Sequence, residues 1–281
     1  DVDALCDANG HVVVCGIMEH IEPAGVHSGD SACCLPTVSL SNNCLQTIRE
    51  WTKALAQELE VKGLINLQFA VQKDRSGIEK VFIIEANPRA SRTVPFVSKA
   101  IGLPLARIAT SLLVGKTLQS VGLEKEPRPP IQSVKEAVLP FRRFPGADSV
   151  LGPEMRSTGE VMGSAPTFGM AYAKSELAAG EALPTKGIVF LSTHDRDKLA
   201  LVPVAKELIS LGFGLVATSG TAQALANLGL KVEKVLKVHE GRPNIEDLIR
   251  SGQIQLVINT PIGRQAAHDD KYLRRAALDY S

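Results

Sequence analysis

Val71-Gln72-Lys73-Asp74-Arg75-Ser76-Gly77-Ile78-Glu79-Lys80-Val81-Phe82-Ile83-Ile84-Glu85-Ala86-Asn87-Pro88-Arg89-Ala90-Ser91-Arg92-Thr93-Val94-Pro95 is the stretch on which the reading of this chain turns. Val81-Phe82-Ile83-Ile84 has the composition of a buried strand, yet it runs directly into a carboxylate, an amide and two guanidinium groups. Side chains alternate along a strand, so Glu85 and Asn87 point to the same face with one residue between them. Two oxygen donors side by side suit a hard cation such as Mg²⁺. Arg89 and Arg92 lie just beyond, where they can hold the phosphate oxygens that such a cation bridges.

Leu64–Val71, immediately before, alternates so that Asn66, Gln68 and Ala70 share one face and apolar residues the other. The polar run Lys73–Lys80, with Asp74 and Gly77, reads as a hairpin connection. Folding there predicts Gln68 beside Glu85 and Asn87. The alternative is an edge hairpin with a solvated polar face, common in antiparallel sheets. The Arg89/Arg92 pair and the Pro88 stop favour a site.

The chain has 281 residues, 44% hydrophobic and 22% charged, enough for two cores. A net charge of +1 gives no electrostatic reason to expect nucleic acid or a membrane surface as partner. No apolar run reaches the roughly 20 residues of a spanning helix. Asp1-Val2-Asp3 carries neither an initiator Met nor a signal peptide and reads as the start of a fragment of a longer chain. Cys6, Cys15, Cys33, Cys34 and Cys44 contain no C-x-x-C pair. Their odd number points to reduced thiols in the cytoplasm, with Cys33 and Cys34 as small packing residues.

Asp3–Asp7 and His11–Ile17 flank Ala8-Asn9-Gly10, a hairpin signal. Gly25-Val26-His27-Ser28-Gly29-Asp30-Ser31 can bring backbone N–H groups to phosphates, though a plain surface loop uses the same residues. Ser41 or Asn42 caps a helix running to about Glu60, with Leu45, Ile48, Trp51, Leu55 and Leu59 as its expected buried stripe. Val94–Ile101 and Pro104–Val114 read as short helices stopped by Gly102 and Gly115. They finish a first domain near residue 120.

Glu124–Pro130 (EKEPRPP) reads as a linker. Ser133–Phe144 and Leu151–Tyr172 show little periodicity, so residues 121–180 are taken as an extension and linker of undetermined shape. From Lys186 strands and helices alternate. The strands expected are Gly187–Ser192, Gly214–Ala217, Val232–Val235 and Gln255–Ile258. The helices are Lys198–Leu211, Thr221–Leu228 and Asn244–Arg250. That order predicts a parallel sheet with helices on both sides over 181–281. Ligands of such sheets sit beyond the carboxyl ends of the strands. Thr218-Ser219-Gly220-Thr221, Lys237 and Asn259-Thr260 fall there, with Lys198 facing the same edge. A phosphate pocket at a helix start fits these residues; an ordinary Ser/Thr cap of the helix is the alternative.

Gly16–Pro36 (GIMEHIEPAGVHSGDSACCLP), Glu85–Lys99 (EANPRASRTVPFVSK) and Leu151–Gly163 (LGPEMRSTGEVMG) together resemble the carboxy-terminal part of the large subunit of carbamoyl phosphate synthetase, an ATP-grasp ligase. E-x-N-x-R is widespread in ATP-grasp enzymes; the other two stretches are more particular. The resemblance runs from end to end, except that Lys73–Lys80 is several residues longer than the usual hairpin. It implies an α/β fold: the C-terminal part of an ATP-grasp domain, an antiparallel or mixed sheet with helices, over 1–120. A Rossmann-like, methylglyoxal-synthase-like allosteric domain then spans 181–281.

By the resemblance, Gly25, Val26, His27, Ser28, Gln68 and Glu85 contact ATP, and Gln68, Glu85 and Asn87 hold Mg²⁺ or Mn²⁺, with K⁺ a further candidate ion. Arg89 and Arg92 serve the transfer of phosphate to carbamate. Implied partners are a glutaminase small subunit and other copies in an oligomer. Lys198, Thr218, Thr221, Lys237, Asn259 and Thr260 match an effector site for a nucleotide monophosphate, inosine or uridine in prokaryotic relatives. Val238-His239-Glu240-Gly241-Arg242-Pro243-Asn244 departs from the catalytic aspartate segment of methylglyoxal synthases, so binding without catalysis is expected. Pro261-Ile262 replaces small hydroxyl residues and leaves the nucleotide preference open. Glu22, Asp30 and Glu136 match positions that hold the amine of ornithine in bacterial relatives. Another ATP-grasp ligase of the carboxylase type, and a regulatory module without catalysis, are the competing readings.

Overall fold

Asn9-Gly10 makes the first decision of the fold. Gly10 takes φ +77°, a left-handed conformation that glycine adopts without strain, and Asp7 Oδ1 accepts from the amides of Asn9 (3.0 Å) and His11 (3.1 Å). The turn folds β1 (Val2–Cys6) onto β2 (Val12–Ile17) as an antiparallel pair. The structure is a computed structural model that describes residues 1–74, 76–144, 147–261 and 264–280. Two short strands follow, β3 (Glu19–His20) and β4 (Cys33–Leu35), then helix α1 (Asn42–Glu58), whose cap is Ser41 accepting from the Cys44 amide.

β5 (Gly63–Lys73) and β6 (Glu79–Asn87) form the predicted hairpin, and the four-stranded sheet has the order β2-β1-β5-β6. Helix α1 covers one face through Cys44, Ile48, Thr52 and Ala56, against Val2, Ala4, Ile65 and Leu67. Helices α2 (Thr93–Ile101) and α3 (Leu105–Leu113) cover the other, where Val94, Phe96, Val97, Leu105 and Leu112 pack on Leu5, Val13, Cys15 and Leu64. Truncating one such side chain, Phe96→Ala for instance, costs about 3–5 kcal/mol.

Two expectations fail here. Trp51 is 38% exposed and Leu59 50%, with Leu45 and Leu55 half-buried. The helix seats its narrower Cys44–Ile48–Thr52–Ala56 stripe on the sheet, about one residue round from the stripe read from its largest side chains. Phe82, Ile83 and Ile84 are 49%, 44% and 55% exposed, so the segment read as a buried strand is not one. β6 is an edge strand, and among the described residues nothing covers this part of it.

The stretch without periodicity folds as a third sheet element set. β7 (Gln132–Val138) and β8 (Gly159–Ala165) join β3 and β4 in the order β3-β4-β7-β8, covered by helix α4 (Phe168–Ala179). A Cβ on Gly163 would lie 2.2 Å from the Ala171 carbonyl oxygen. Only glycine lets α4 pack this close to β8.

Residues 1–139 and 151–181 form one compact unit; 140–150 and 182–281 form another. The second unit is a parallel sheet of β9 (Ile188–Thr193), β10 (Gly214–Ala217), β11 (Glu233–Lys234) and β12 (Leu256–Thr260), in the order β11-β10-β9-β12. Helices α5 (Lys198–Ser210) and α6 (Ser219–Ala226) pack on one face, through Leu201, Ala205 and Leu225. Helices α7 (Ile245–Arg250) and α8 (Arg264–Tyr280) pack on the other, through Ile245, Ile249 and Leu273. This is the α/β/α arrangement that the alternation predicts. The strand read as Val232–Val235 shrinks to Glu233–Lys234.

Candidate active site and effector pockets

The β5–β6 ladder pairs Asn66 with Asn87, Leu67 with Ala86 and Gln68 with Glu85; then the register shifts, and Phe69 pairs with Ile83. Directly opposed residues of an antiparallel pair point to the same face, so Asn66, Gln68, Glu85 and Asn87 share one side of the sheet. Ile84 is the extra residue of a β-bulge. It resets the alternation, and Ile83, two positions before Glu85, turns to the opposite face beside Phe69.

The loop before β4 reaches the same place. Gln68 Nε2 donates to Ser28 Oγ at 3.3 Å. Asn87 Nδ2 donates to Glu85 Oε1, and Arg89 Nη2 donates to Asn87 Oδ1 at 3.1 Å. Arg92 touches Met155 Sδ. A cavity of about 590 Å³ is lined by the whole Gly25-Val26-His27-Ser28 turn, by Gln68 and Glu85, and by an apolar wall that includes Val2, Ile17 and Phe69. Asn87, Arg89 and Arg92 lie outside its lining.

Three features hold the turn. The His27 amide donates to the Gly152 carbonyl (2.8 Å), and His27 Nδ1 accepts from the Gly29 amide (3.0 Å). Lys135, 2% exposed, donates from Nζ to the Ser28 carbonyl (3.3 Å). The sequence reading missed this lysine; its only signal is a cation inside the run Ser133-Val134-Lys135-Glu136-Ala137-Val138. It also missed Asp3, fully buried, which accepts from Asn66 (2.9 Å), Ser91 (2.8 Å) and Thr93 (2.7 Å). Burial pushes the Asp3 carboxyl up, and the hydrogen bonds from Asn66, Thr93 and Ser91 oppose that shift in part.

The amine-site candidates behave unequally. Glu22 Oε2 accepts from Ser31 Oγ (2.7 Å) and the Ala32 amide (2.8 Å). Asp30 gives both oxygens to the amides of Arg156 (2.7 Å) and Ser157 (2.8 Å). Burial would raise its carboxyl, but those bonds outweigh burial and hold it below the usual carboxylate range. Glu136 Oε1 accepts from the Ala137 amide (2.9 Å), while Oε2 is buried with no partner among the described residues. Burial, opposed by that amide and reinforced by Glu176 and Glu22, pushes Glu136 up to about 7. Glu176, on α4, was not foreseen.

In the second unit Thr218, Thr221, Asn259 and Thr260 lie at the carboxyl ends of β10 and β12, against the end of β9, while Lys237 follows the edge strand β11. Thr260 pairs with Thr193 and Asn259 with Ser192. Thr260 Oγ1 accepts from the His194 amide (3.0 Å), Thr221 Oγ1 accepts from the Thr193 amide (3.2 Å), and Asn259 Nδ2 donates to Asp270 Oδ1 (2.8 Å). Thr218 precedes α6 yet makes no side-chain cap bond; its hydroxyl donates to Ser192 Oγ at 3.5 Å. The ordinary cap is therefore not its role. Lys198 Nζ pairs with Asp195 (2.6 Å) and hangs over the start of α6, 3.3 Å from where a Cβ on Gly220 would be. Lys237 is exposed and opens a 3₁₀ turn closed by Glu240 Oε2 on its own amide (2.9 Å). Of the departing pair Pro261-Ile262, Ile262 lies outside the described residues.

An ATP-grasp-type domain followed by a methylglyoxal-synthase-like domain is the class that this ladder, this turn and this parallel sheet define. Residues 1–121 match the family model described as Carbamoyl-phosphate synthase L chain, ATP binding domain, and residues 200–281 match the MGS-like domain. The Carbamoyl phosphate synthase large chain of Synechocystis sp. is 59% identical over 281 residues, 100% of this chain and 26% of that one. A Carbamoyl phosphate synthase large chain of Methanosarcina barkeri is 52% identical over 280 residues, covering 100% of this chain and 69% of that one. The chain belongs to the carbamoyl phosphate synthase large-chain family. It spans about a quarter of the length of the Synechocystis relative. Among solved structures, a Rhizobium etli pyruvate carboxylase shares the fold, with a TM-score of 0.50 at 16% identity over 63% of this chain and 20% of that one.

Among the described residues no single helix is long and apolar enough to cross a membrane.

Proposed function

We propose that this chain carries the carbamate-phosphorylating half of an ATP-dependent ligase that makes carbamoyl phosphate from bicarbonate, glutamine-derived ammonia and ATP. The observation that supports it is the sharing of one face by Gln68, Glu85 and Asn87, beside a nucleotide-sized cavity lined by Gly25–Ser28.

The donor chemistry fits Mg²⁺ or Mn²⁺: one carboxylate and two side-chain amides, all able to present oxygen. Gln68, Glu85 and Asn87 would hold the ion, which would supply neutralising positive charge to the ATP phosphates. The chain's own residues do the rest. The amides of Val26 and His27 are spent on the Pro23 and Gly152 carbonyls, so those of Gly25 and Ser28 meet the phosphate oxygens, and Gln68, anchored on Ser28, keeps the turn in register with the ladder. Arg89, braced on Asn87, and Arg92, set against Met155, stabilise charge on the transferring phosphoryl group and orient carbamate. Neither guanidinium gives up a proton at neutral pH, so no general acid is required of them.

The second unit binds a nucleotide monophosphate as an effector, with Lys198, Thr218, Thr221, Lys237, Asn259 and Thr260 around its phosphate. An amine effector such as ornithine sits by Glu22 and Glu136. Asp30 shapes that loop through Arg156 and Ser157 rather than facing the amine. A glutaminase small subunit supplies ammonia, and the complete enzyme is a cytoplasmic oligomer. The deciding experiment is Glu85→Gln in the complete large chain with its glutaminase partner. Retention of full carbamate-dependent ATP turnover would reject the assignment.

A further inference from the structure

Asp3, Asn66 and Asn87 stand in one row across the sheet. Asp3 of β1 pairs with Asn66 of β5, and Asn66 pairs with Asn87 of β6. All three therefore point to the face that carries Gln68 and Glu85. The row is not a chance alignment of polar residues. Asn66 is 3% exposed and spends its Nδ2 on Asp3 Oδ1. That oxygen also takes the Ser91 hydroxyl, and Oδ2 takes the Thr93 hydroxyl; the two hydroxyl oxygens stand 2.8 Å apart, with both protons directed at Asp3. Ser91 and Thr93 bracket Arg92, and the turn they close begins where the Arg89 amide donates to the Asn87 carbonyl (2.8 Å).

A carboxylate at zero exposure demands hydrogen bonds to offset its desolvation. Two sequence-distant elements supply them here, β5 and the arginine-bearing turn, and the turn gives two of the three donors. An apolar residue would fill the same space without fixing that turn.

We propose that Asp3 is a positioning residue for phosphoryl transfer: its carboxylate clamps Ser91 and Thr93 and so fixes the Arg89–Arg92 turn against the Asn66–Asn87 row. This rests on the site reading given under Proposed function. Asp3 touches neither nucleotide nor ion; it acts through the turn. Displacing a guanidinium by about 1 Å costs on the order of 10²-fold in rate.

The test uses the complete large chain with its glutaminase partner, carrying Asp3→Asn, Thr93→Val or Thr93→Ser, with Glu85→Gln as the reference. The carbamate-dependent ATP turnover, and ATP formation in reverse from carbamoyl phosphate and ADP, are measured with KM for ATP and the melting temperature. Asp3→Asn and Thr93→Val are expected to lose roughly 10–100-fold in kcat in both directions, with KM for ATP within about 2-fold. Thr93→Ser, which keeps the hydroxyl, restores kcat. Wild-type kcat in Thr93→Val and Asp3→Asn, with Glu85→Gln inactive, overturns the positioning role alone. Should Asp3→Asn fail to fold, Thr93→Val against Thr93→Ser decides on the same terms. An active Glu85→Gln overturns the site reading and this inference with it.

Discussion

Gln68 and Glu85 face each other directly across the β5–β6 ladder, and the residue next to Glu85, Ile84, is the one the register skips. The pairing brings an amide and a carboxylate from different strands to one spot. The skip keeps Val81 and Ile83 on the α1 side of the sheet while Glu85 and Asn87 stay on the other.

The bulge is therefore a test of the site. Deleting Ile84 joins Ile83 to Glu85 and restores one-to-one pairing while every residue of β6 keeps its partner and its face. ATP-dependent activity of the complete enzyme is therefore expected to survive the deletion. Loss of activity to background, with far-ultraviolet circular dichroism unchanged, would show that the bulge itself, and not only the shared face of Gln68, Glu85 and Asn87, shapes the site.

Replacing Glu85 by Gln keeps the size and removes the only carboxylate of the ion-holding set. Carbamate-dependent ATP turnover is expected to fall by at least about 10²-fold, with the Mg²⁺ concentration for half-maximal rate rising. Titrating Mg²⁺ and then Mn²⁺ against initial rate measures both effects.

Glu136 links stability to pH. Its folded value of about 7 lies above the ordinary 4.5, so between those two pH values the fold holds more proton than the unfolded chain. Stability contributed by the protonated form is present below about 4.5, declines as pH rises toward 7, and is gone above it. Glu136→Gln is expected to flatten that decline and to stabilise the protein at pH 8 by on the order of 1 kcal/mol. Thermal melts of both proteins from pH 5 to 8 give the comparison. An ammonium bound beside Glu136 favours the ionised form, so amine binding should release protons near pH 7, read by calorimetry in buffers of different ionisation enthalpy.

Lys198 belongs to the second unit, and the proposed ATP residues to the first. Lys198→Ala is expected to weaken inosine or uridine monophosphate binding by about 10-fold, since a charged hydrogen bond to phosphate is lost. Binding of ATP should be unchanged. Calorimetry on the complete chain separates the two, and equal weakening of both would contradict the assignment.

The five thiols are buried and free, and burial pushes Cys6, Cys15, Cys33 and Cys34 up to about 12. Thiolate is the reactive form. A neutral disulfide reagent should label these four only as fast as the protein unfolds, and rapid labelling in the native state would count against this packing.

Alternation along β5 and β6 was enough to foresee which residues share a face, because strand geometry sets that locally. It said nothing of coverage. Phe82, Ile83 and Ile84 look like core in isolation and lie open because β6 is an edge, a fact of topology. Trp51 misled for a related reason: size drew the expected stripe of α1, while the sheet accepts the flatter row of Cys44, Ile48, Thr52 and Ala56. β7 and β8 left no pattern to read. Lys135 and Glu136 interrupt the one, and Gly163 answers to the approach of α4 in the other. Asp3 escaped notice because its donors come from 63, 88 and 90 residues away. The order of the second unit was legible, since most of its strands and helices are short local signals in regular succession, but β11 shrank to two residues and helix α8 was not foreseen.

Edge position has one more consequence for β6. A rim strand presents backbone amides and carbonyls to whatever arrives, and here it does so next to bare aromatic and branched side chains. The accessibility that the proposed nucleotide site at Glu85 requires equally invites a second extended chain to add itself alongside. Handled alone at high concentration, this polypeptide should thicken into sheet-paired aggregates, and a lysine in place of Phe82 should keep it clear.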